Sequence, residues 1–204
     1  MLIEHEGKRP RIHPTARIAP TAVICGDVTI AAETSVGFGA VVTAESGPVT
    51  LGASCIIMEN AVIRGTRRHP VTIGDHVLVG PHAMLSGCRV DECAFLATGC
   101  AIFNGAEIGA RAEVRIHGTV HLRTRLPADG LVPIGWVAVG DPAEILPPER
   151  HDEIWKRQEP LDFPKTVFGL ERAPPGSTNM PEMTRRYLGQ LQRHRGDRIV
   201  DETL

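Results

Sequence analysis

The first 120 residues repeat a pattern of one large aliphatic and one small side chain about every six residues. The large aliphatic positions are Ile12, Ile18, Ile24, Ile30, Val36, Val42, Leu51, Ile57, Ile63, Ile73, Val79, Leu85, Val90, Leu96, Ile102, Ile108, Val114 and Val120. A small residue follows four positions after most of them, at Ala16, Ala22, Thr34, Ala40, Cys55, Ala61, Ala83, Ala94, Cys100, Ala106 and Ala112. Such a short, fixed period indicates a solenoid, and a period of six predicts a β-helix lined by these side chains.

Three six-residue faces make one triangular coil of such a solenoid. The eighteen repeats therefore predict six coils, and the apolar residues of 134–143 indicate part of a seventh. Neighbouring coils stack by strand pairing, about 4.8 Å apart. A lone coil cannot bury its apolar edge, so stability depends on contacts between neighbours. We predict an all-β solenoid, a parallel β-helix of about six to seven coils, over residues 1–147.

Helices are predicted after the repeats. Pro147 and Pro148 precede a helix over residues 149–158, because proline is favoured at the first helical position. Beyond a connector rich in proline and glycine, Met183, Tyr187 and Leu191 lie four apart and predict an amphipathic helix over 180–194. Residues 148–204 are interpreted as a C-terminal helical extension that lies along the solenoid or covers an open end, where unpaired strand edges would invite aggregation.

Two insertions interrupt the repeat. Three extra residues fall around 46–48 and four around 66–70. Both follow positions that stack one coil apart on the same edge, so the two loops are predicted to protrude side by side. Loops on a rigid scaffold often carry functional residues. The alternative is that these loops only cap the solenoid or space neighbouring subunits.

Composition narrows the class of protein. The formal net charge is −2, which does not favour a nucleic-acid partner. No apolar run approaches the length of a membrane span, and the first residues lack a signal-peptide core. Cys55 and Cys100 occupy small inner positions of the repeat, which is typical of core atoms in a reducing compartment. We predict a cytoplasmic protein without a membrane partner.

The order of features resembles the γ-class carbonic anhydrase family of the hexapeptide-repeat superfamily. The resemblance covers roughly residues 10–158, including Val-Gly-Asp-Pro-Ala at 139–143 and Val-Gly-Pro-His-Ala-Met-Leu-Ser-Gly-Cys at 79–88. It implies a left-handed β-helix, a homotrimer, and a zinc ion held by three histidines between subunits. The left-handedness comes from this resemblance, since the general rule for parallel crossovers favours a right-handed turn.

The family's ligand positions are substituted in this chain. The residues that align with the three zinc-binding histidines are Arg64, Pro81 and Ser86. The family's Arg-x-Asp sequence aligns with Thr43 and Glu45, and its Gln-Asp pair aligns with Met58 and Glu59. Zinc needs about three donors to be held and to acidify its bound water. The substitutions therefore argue against the standard hydration of carbon dioxide.

Histidines nevertheless gather near these positions. One interpretation is a relocated metal site, possible for zinc, formed by His69 and His82 with a third donor from His121 or His117. A trimer would bring a neighbour's His82 towards Arg64. A second is a metal-free pocket, where Arg64 binds an anion and a histidine acts as general acid or base. A third assigns each histidine only a surface or interface hydrogen bond.

The candidate catalytic residues are Arg64, Glu59 and Ser86, since they lie at or beside the substituted family positions. The favoured prediction is a γ-carbonic-anhydrase-like hydratase or lyase, acting on a small polar or anionic molecule between the subunits of a homotrimer. The alternative is a hexapeptide acyltransferase that binds acyl-coenzyme A and uses His69 as its base. The remaining hypothesis is a non-catalytic trimeric scaffold.

Overall fold

The computed structural model describes residues 1–200, which form a left-handed parallel β-helix of about eight turns followed by helical segments. The predicted fold class is confirmed. The number of turns is larger than the predicted six to seven, because residues before Ile12 and after Val120 add strands at both ends. The strand Leu2–Glu4 was missed since a tight turn at Glu6 and Gly7 separates it from the regular repeat.

Three sheets form the faces of the prism. The first face contains β1 (Leu2–Glu4), β4 (Val23–Cys25), β7 (Val41–Thr43), β10 (Val62–Arg64), β13 (Met84–Ser86), β16 (Ala101–Ile102), β19 (Thr119–Val120), β22 (Val137–Val139), β23 (Glu144–Leu146) and β24 (Arg198–Ile199). The second face contains β2 (Arg11–Ile12), β5 (Val28–Ile30), β8 (Val49–Leu51), β11 (Val71–Ile73), β14 (Arg89–Val90), β17 (Glu107–Ile108) and β20 (Arg125–Leu126). The third face contains β3 (Arg17–Ile18), β6 (Ser35–Val36), β9 (Ile56–Ile57), β12 (Leu78–Val79), β15 (Phe95–Leu96), β18 (Glu113–Val114) and β21 (Leu131–Val132).

The interior is the predicted stack of aliphatic side chains. Ile24, Ile63, Leu85 and Ile102 are fully buried along the first face. Most of the small residues of the repeat, such as Ala22, Ala61 and Cys100, are also buried. Each strand pairs in parallel with the equivalent strand of the next turn, so the same inner position repeats along the axis. The small side chains are needed because the large ones already fill the narrow axis.

The pairing registers confirm which outward side chains share a row. Cys25 pairs with Thr43, Thr43 with Arg64, and Arg64 with Ser86 along the first face. Phe103 and His121 continue this row one residue beyond the paired β16 and β19. The row places two of the three substituted ligand positions, Arg64 and Ser86, on neighbouring strands.

The extension begins with a 3-10 turn, Pro148–Arg150, and continues as α1 (His151–Gln158). Ile154 of α1 packs on Val139 and Leu146 at one end of the prism. Short helical segments at Glu159–Leu161 and Pro164–Phe168 cross the predicted connector, and α2 (Met180–Leu191) ends in a 3-10 segment, Gln192–Gly196. Both predicted helices are present, with the second ending three residues earlier than predicted.

The chain then returns to the first turn. Strand β24 pairs antiparallel with β1, with Ile3 opposite Ile199 and Glu4 opposite Arg198. This pairing covers the free edge of the first face, as expected for an element that protects an open strand edge. The extension predicted over 148–204 therefore contributes a strand as well as helices, and residues 201–204 lie outside the described part.

Within residues 1–200, none of the helices combines the length and the apolar character that crossing a bilayer requires. Cys55 and Cys100 are buried in the interior, as predicted, and all five cysteines are free thiols. Burial raises the pKa of the Cys100 thiol to about 12, so this sulfur remains a neutral core atom.

Candidate functional site

An open cleft of about 930 Å³ lies between the first face, its two inserted loops and the C-terminal extension. Its lining residues from the prism are Glu45, Ser46, Arg64, Thr66, Arg67, Arg68, His69, Ser86 and Asn104. Its lining residues from the extension are Thr166, Val167, Phe168, Gly169, Arg186, Tyr187 and Gln190. The cleft therefore contains two of the three substituted ligand positions.

One ion pair and one hydrogen bond hold the side chain of Arg64 in this cleft. Its Nε lies 3.2 Å from Oε2 of Glu45 in an ion pair, and its Nη1 donates to the hydroxyl of Tyr187 at 3.1 Å. The guanidinium is held from two sides, one on the solenoid and one on the extension. Ser86 lies beside Arg64 on the neighbouring strand, with its hydroxyl on the same outward side.

The two inserted loops touch each other, which confirms the predicted adjacency. The amide of Ser46 donates to the carbonyl of Gly65, and the amide of Arg67 donates to the hydroxyl of Ser46 at 3.0 Å. A Cβ added to Gly47 would lie 2.1 Å from the carbonyl oxygen of Thr66. Only glycine permits this close approach of two backbones.

His69 belongs to the second loop and faces the cleft. Reciprocal backbone hydrogen bonds between Thr66 and His69 close the loop into a tight turn. The ring lies over Gly105, where an added Cβ would be 3.2 Å from Cε1. Burial, and then the charges of Arg123 and Arg68, lower the pKa of His69, so the ring is neutral near pH 7. A neutral imidazole can accept a proton from a bound molecule.

Glu59 and His82 lie away from the cleft, on the corner that joins the third face to the first. Both residues are exposed. Their turns are neighbours in the stack, and the amide of His82 donates to the carbonyl of Glu59 at 3.0 Å. His82 has a φ of 58°, and His117 lies two turns further along the same corner. Within one chain, this corner contributes nothing to the cleft.

His121 lies on the first face further along the solenoid. Its ring packs on Phe103 with centroids 6.0 Å apart, its Nδ1 is buried without a partner, and burial lowers its pKa. Within one chain, His69, His82 and His121 do not come close enough to share an ion. In the described residues, the group of histidines and carboxylates close enough to hold one ion consists of His5, His194 and Asp197, at the other end of the first face.

Sequence reasoning missed the residues that the extension adds to the cleft. Arg186, Tyr187 and Gln190 lie on consecutive turns of α2, and Phe168 ends the short helix before it. A tyrosine on the apolar face of the predicted helix was the available signal, since a buried tyrosine hydroxyl usually finds a hydrogen-bond partner. Nothing in the sequence identifies Arg64 as that partner.

Sequence comparisons identify homologues of this chain among the γ-carbonic anhydrases, although no protein-family model matches it. It is similar to γ-carbonic anhydrase 1, mitochondrial, of Arabidopsis thaliana, with 29% identity over 72% of this chain and 54% of that protein. A carbonic anhydrase of Geobacillus kaustophilus is 34% identical over 53% of this chain and 60% of its own length. The chain thus spans little more than half of these relatives.

Another relative, carnitine operon protein CaiE of Escherichia coli K12, is 28% identical over 79% of this chain and 80% of that protein. Solved structures confirm the fold. A hexapeptide transferase family protein of Anaplasma phagocytophilum has a TM-score of 0.51 and 25% identity, covering 78% of this chain and 91% of its own. The product of the BC4754 gene of Bacillus cereus has a TM-score of 0.53 and 24% identity, covering 76% of this chain and 90% of its own.

Proposed function

We propose that this chain is a γ-carbonic-anhydrase-like hexapeptide-repeat protein that binds a small anion in the cleft beside the substituted ligand positions. The observation that carries this proposal is the charge of the cleft. Arg64, Arg67, Arg68 and Arg186 line it; Glu45 pairs with Arg64 and Glu182 pairs with Arg186, so two positive charges are in excess among these described residues. Planar guanidinium groups bind carboxylates and phosphates through paired hydrogen bonds. The family's cation is replaced here by fixed positive side chains.

The proposed chemistry is proton transfer. Arg64 orients the anion, and the hydroxyl of Ser86 on the adjacent strand donates a hydrogen bond to it. Neutral His69 then accepts the proton of an O–H group of the bound anion, which gives an imidazolium and an anion with one more negative charge. Glu59 has no role in this cleft within one chain, so its predicted part depends on a neighbouring subunit. The relocated metal site of His69, His82 and His121 would likewise need a neighbour's residues.

Oligomerisation is a proposal that the third face supports. Ile56, Phe95 and Leu131 point outward in one row of this face and are 47%, 41% and 39% exposed. Phe38 and Ile134 add apolar surface on the adjoining corner. Exposed apolar surface marks interaction sites, and here Ile56, Leu78 and Phe95 are adjacent in the row, whereas Glu113 separates Phe95 from Leu131. A homotrimer would cover it and bring the corner that carries Glu59 and His82 towards a neighbouring subunit.

The test uses inorganic phosphate and bicarbonate as probes in thermal denaturation. An anion that binds only the folded state raises the melting temperature with concentration. We expect this rise for the wild type and its loss in Arg64→Gln. Arg89→Gln, on an exposed arginine paired with Asp91 on the second face, is the matched control. An equal rise in Arg64→Gln would sink the proposal, as would rapid carbon dioxide hydration after loading with zinc.

An acyl-coenzyme A acyltransferase is the second candidate. It is favoured by the cationic rim of Arg67, Arg68 and Arg186 beside an apolar wall of Val167 and Phe168, which suits the phosphates and acyl chain of such a cofactor. Coenzyme A should then stabilise the protein at concentrations where phosphate has no effect. If neither probe changes the melting temperature, the scaffold hypothesis is favoured.

A further inference from the structure

A second cluster of donor atoms lies where β1 and β24 pair, two strands along the first face from β7, whose following loop lines the cleft. We propose that His5, His194 and Asp197 form a structural binding site for one divalent transition-metal ion, zinc in the first instance. The site is separate from the positions where the γ-carbonic anhydrases hold zinc, and it does not depend on the function proposed above. It would fasten the end of the extension to the first turn.

Backbone pairing places two of these residues opposite each other. In the antiparallel ladder of β1 and β24, Glu4 faces Arg198, so the next pair in register is His5 and Asp197. His5 is fixed by reciprocal backbone hydrogen bonds with Lys8, both 3.0 Å, across a two-residue turn of positive φ. His194 is held by the short helical segment before β24, and the amide of Asp197 donates to its carbonyl.

The side chains converge on one carboxylate. Nδ1 of His5 lies 2.6 Å from Oδ1 of Asp197, and Nδ1 of His194 lies 2.7 Å from Oδ2. The two rings stack with centroids 4.3 Å apart at 23°. One potential ligand atom from each residue lies within 4.8 Å of the other two. An ion bonded to all three donors at about 2.0–2.2 Å would enter between each imidazole and the carboxylate, so both Nδ1–Oδ distances would widen by several tenths of an ångström.

The donor set suits a borderline ion. Two imidazoles and one carboxylate form a common set for zinc and related divalent metals. In the metal-free state the Nδ1–H groups of both histidines donate hydrogen bonds to the carboxylate of Asp197. Binding moves each ring to the tautomer protonated at Nε2 and frees the Nδ1 lone pair for the ion. His5 is 3% exposed and its Nε2 is buried without a partner, so the metal-bound tautomer leaves this N–H unpaired, and the bond from Nδ1 to the metal has to outweigh that cost.

The arginines around the site pair with Glu4 and Glu6, whereas Asp197 pairs with the two histidines. Glu4 pairs with Arg9 and Arg198, and Glu6 pairs with Arg193, so the nearby carboxylates are already neutralised. Cys25 also contacts Asp197, with Sγ 3.9 Å from Oδ2.

Metal binding here has a consequence for the cleft. His194 follows α2 directly, and α2 supplies Tyr187 and Gln190 to the cleft wall. An ion that fixes His194 to His5 would therefore hold α2 in place over the first face. The expected role is structural, since binding to the folded state contributes directly to stability.

The experiment measures zinc binding by the full chain after removal of metal with a chelator. We expect one zinc per chain by elemental analysis after dialysis, and a zinc-dependent rise in melting temperature. Cobalt(II) bound in place of zinc should show stronger visible ligand-field absorption than cobalt(II) in buffer. His194→Gln and Asp197→Asn should each weaken zinc binding by about a hundredfold or more, because loss of even an outer-shell partner costs 10–100-fold.

Two controls keep the result interpretable. His151→Gln changes an exposed histidine of α1 and should leave zinc binding unchanged. His69→Ala should also leave it unchanged, which separates this site from the cleft. The proposal is overturned if the wild type binds no zinc, or if circular dichroism shows folded His194→Gln and Asp197→Asn proteins that bind it as tightly. Loss of binding in His69→Ala alone would assign the ion to the cleft instead.

Discussion

Arg64 and Tyr187 are 123 residues apart in the chain, yet Nη1 of the arginine donates to the tyrosine hydroxyl at 3.1 Å. This contact joins the first face of the solenoid to α2 of the extension. It also orients the guanidinium that we place at the centre of anion binding. A hydrogen bond with such a long sequence separation makes the shape of the cleft depend on how the extension docks.

The Tyr187→Phe substitution tests that dependence. It removes the hydroxyl and leaves the ring, so the expected loss in the free energy of unfolding is about 0.5–1.5 kcal/mol. The lower part of that range is expected because both side chains remain partly exposed. Urea denaturation measures the loss, and limited proteolysis should show faster cleavage within residues 159–178.

Leu188→Ala provides the matched control for this helix. Leu188 is 57% exposed and neighbours Tyr187 on α2, but it does not line the cleft. Its truncation should leave phosphate-induced stabilisation unchanged, whereas Tyr187→Phe should reduce it. Equal effects of the two substitutions would mean that the Arg64 contact has no specific part in the cleft.

The titration of His69 is a separate prediction. Burial is the main cause that lowers its pKa, and the charge of Arg123 adds to it. The ring should therefore protonate at a lower pH than an ordinary imidazole, whose pKa is 6.5. Activity that needs the neutral base would be lost as the pH falls through this lowered pKa. Arg123→Gln should shift the pKa upward, and NMR titration of the ring protons measures both values.

The sequence predicted the solenoid well, because every large inner residue occupies the same position in its repeat. The strand registers followed from the same period, including the row that carries Arg64 and Ser86. The contribution of α2 could not be predicted, since Tyr187 and Arg186 reach the cleft by docking of a separate element. Likewise, the pairing of β1 with β24 joins residues almost 200 positions apart. No local periodicity specifies such contacts.

The close approach of the inserted loops predicts the effect of Gly47→Ala. The added Cβ would lie 2.1 Å from the carbonyl oxygen of Thr66, which is backbone and cannot swing away. We expect a loss of about 1–3 kcal/mol in unfolding free energy as the loops separate, together with weaker phosphate binding. Gly189→Ala is the control. It has open space in α2 and should stabilise the protein by about 0.5–1 kcal/mol. A Gly47→Ala protein with an unchanged free energy of unfolding would contradict the tight contact.

His121 provides a prediction on stability. Its Nδ1 is buried without a partner, so His121→Leu should increase the unfolding free energy by about 1 kcal/mol. Its lowered pKa means that the unfolded chain binds a proton more readily. Wild-type stability should therefore fall as the pH drops below 6.5, and this dependence should be weaker in His121→Leu. Denaturant midpoints between pH 7.5 and 5.5 measure both effects. A destabilised variant would indicate that the imidazole has a partner in the assembled protein.

The exposed row on the third face predicts the effect of charge on assembly. Phe95 lies between Leu78 and Glu113 in the ladder and is 41% exposed, so Phe95→Glu would place a second carboxylate beside Glu113 on this surface. If the row is a subunit interface, burial of an unpaired charge should convert the trimer to monomers, as measured by light scattering. Thr72→Glu, on the exposed row of the second face, should leave the molecular mass of the oligomer unchanged in the same measurement. A wild-type protein that is monomeric at micromolar concentration would remove the trimer from the proposal. It would also remove any part for Glu59 and His82 in a shared site.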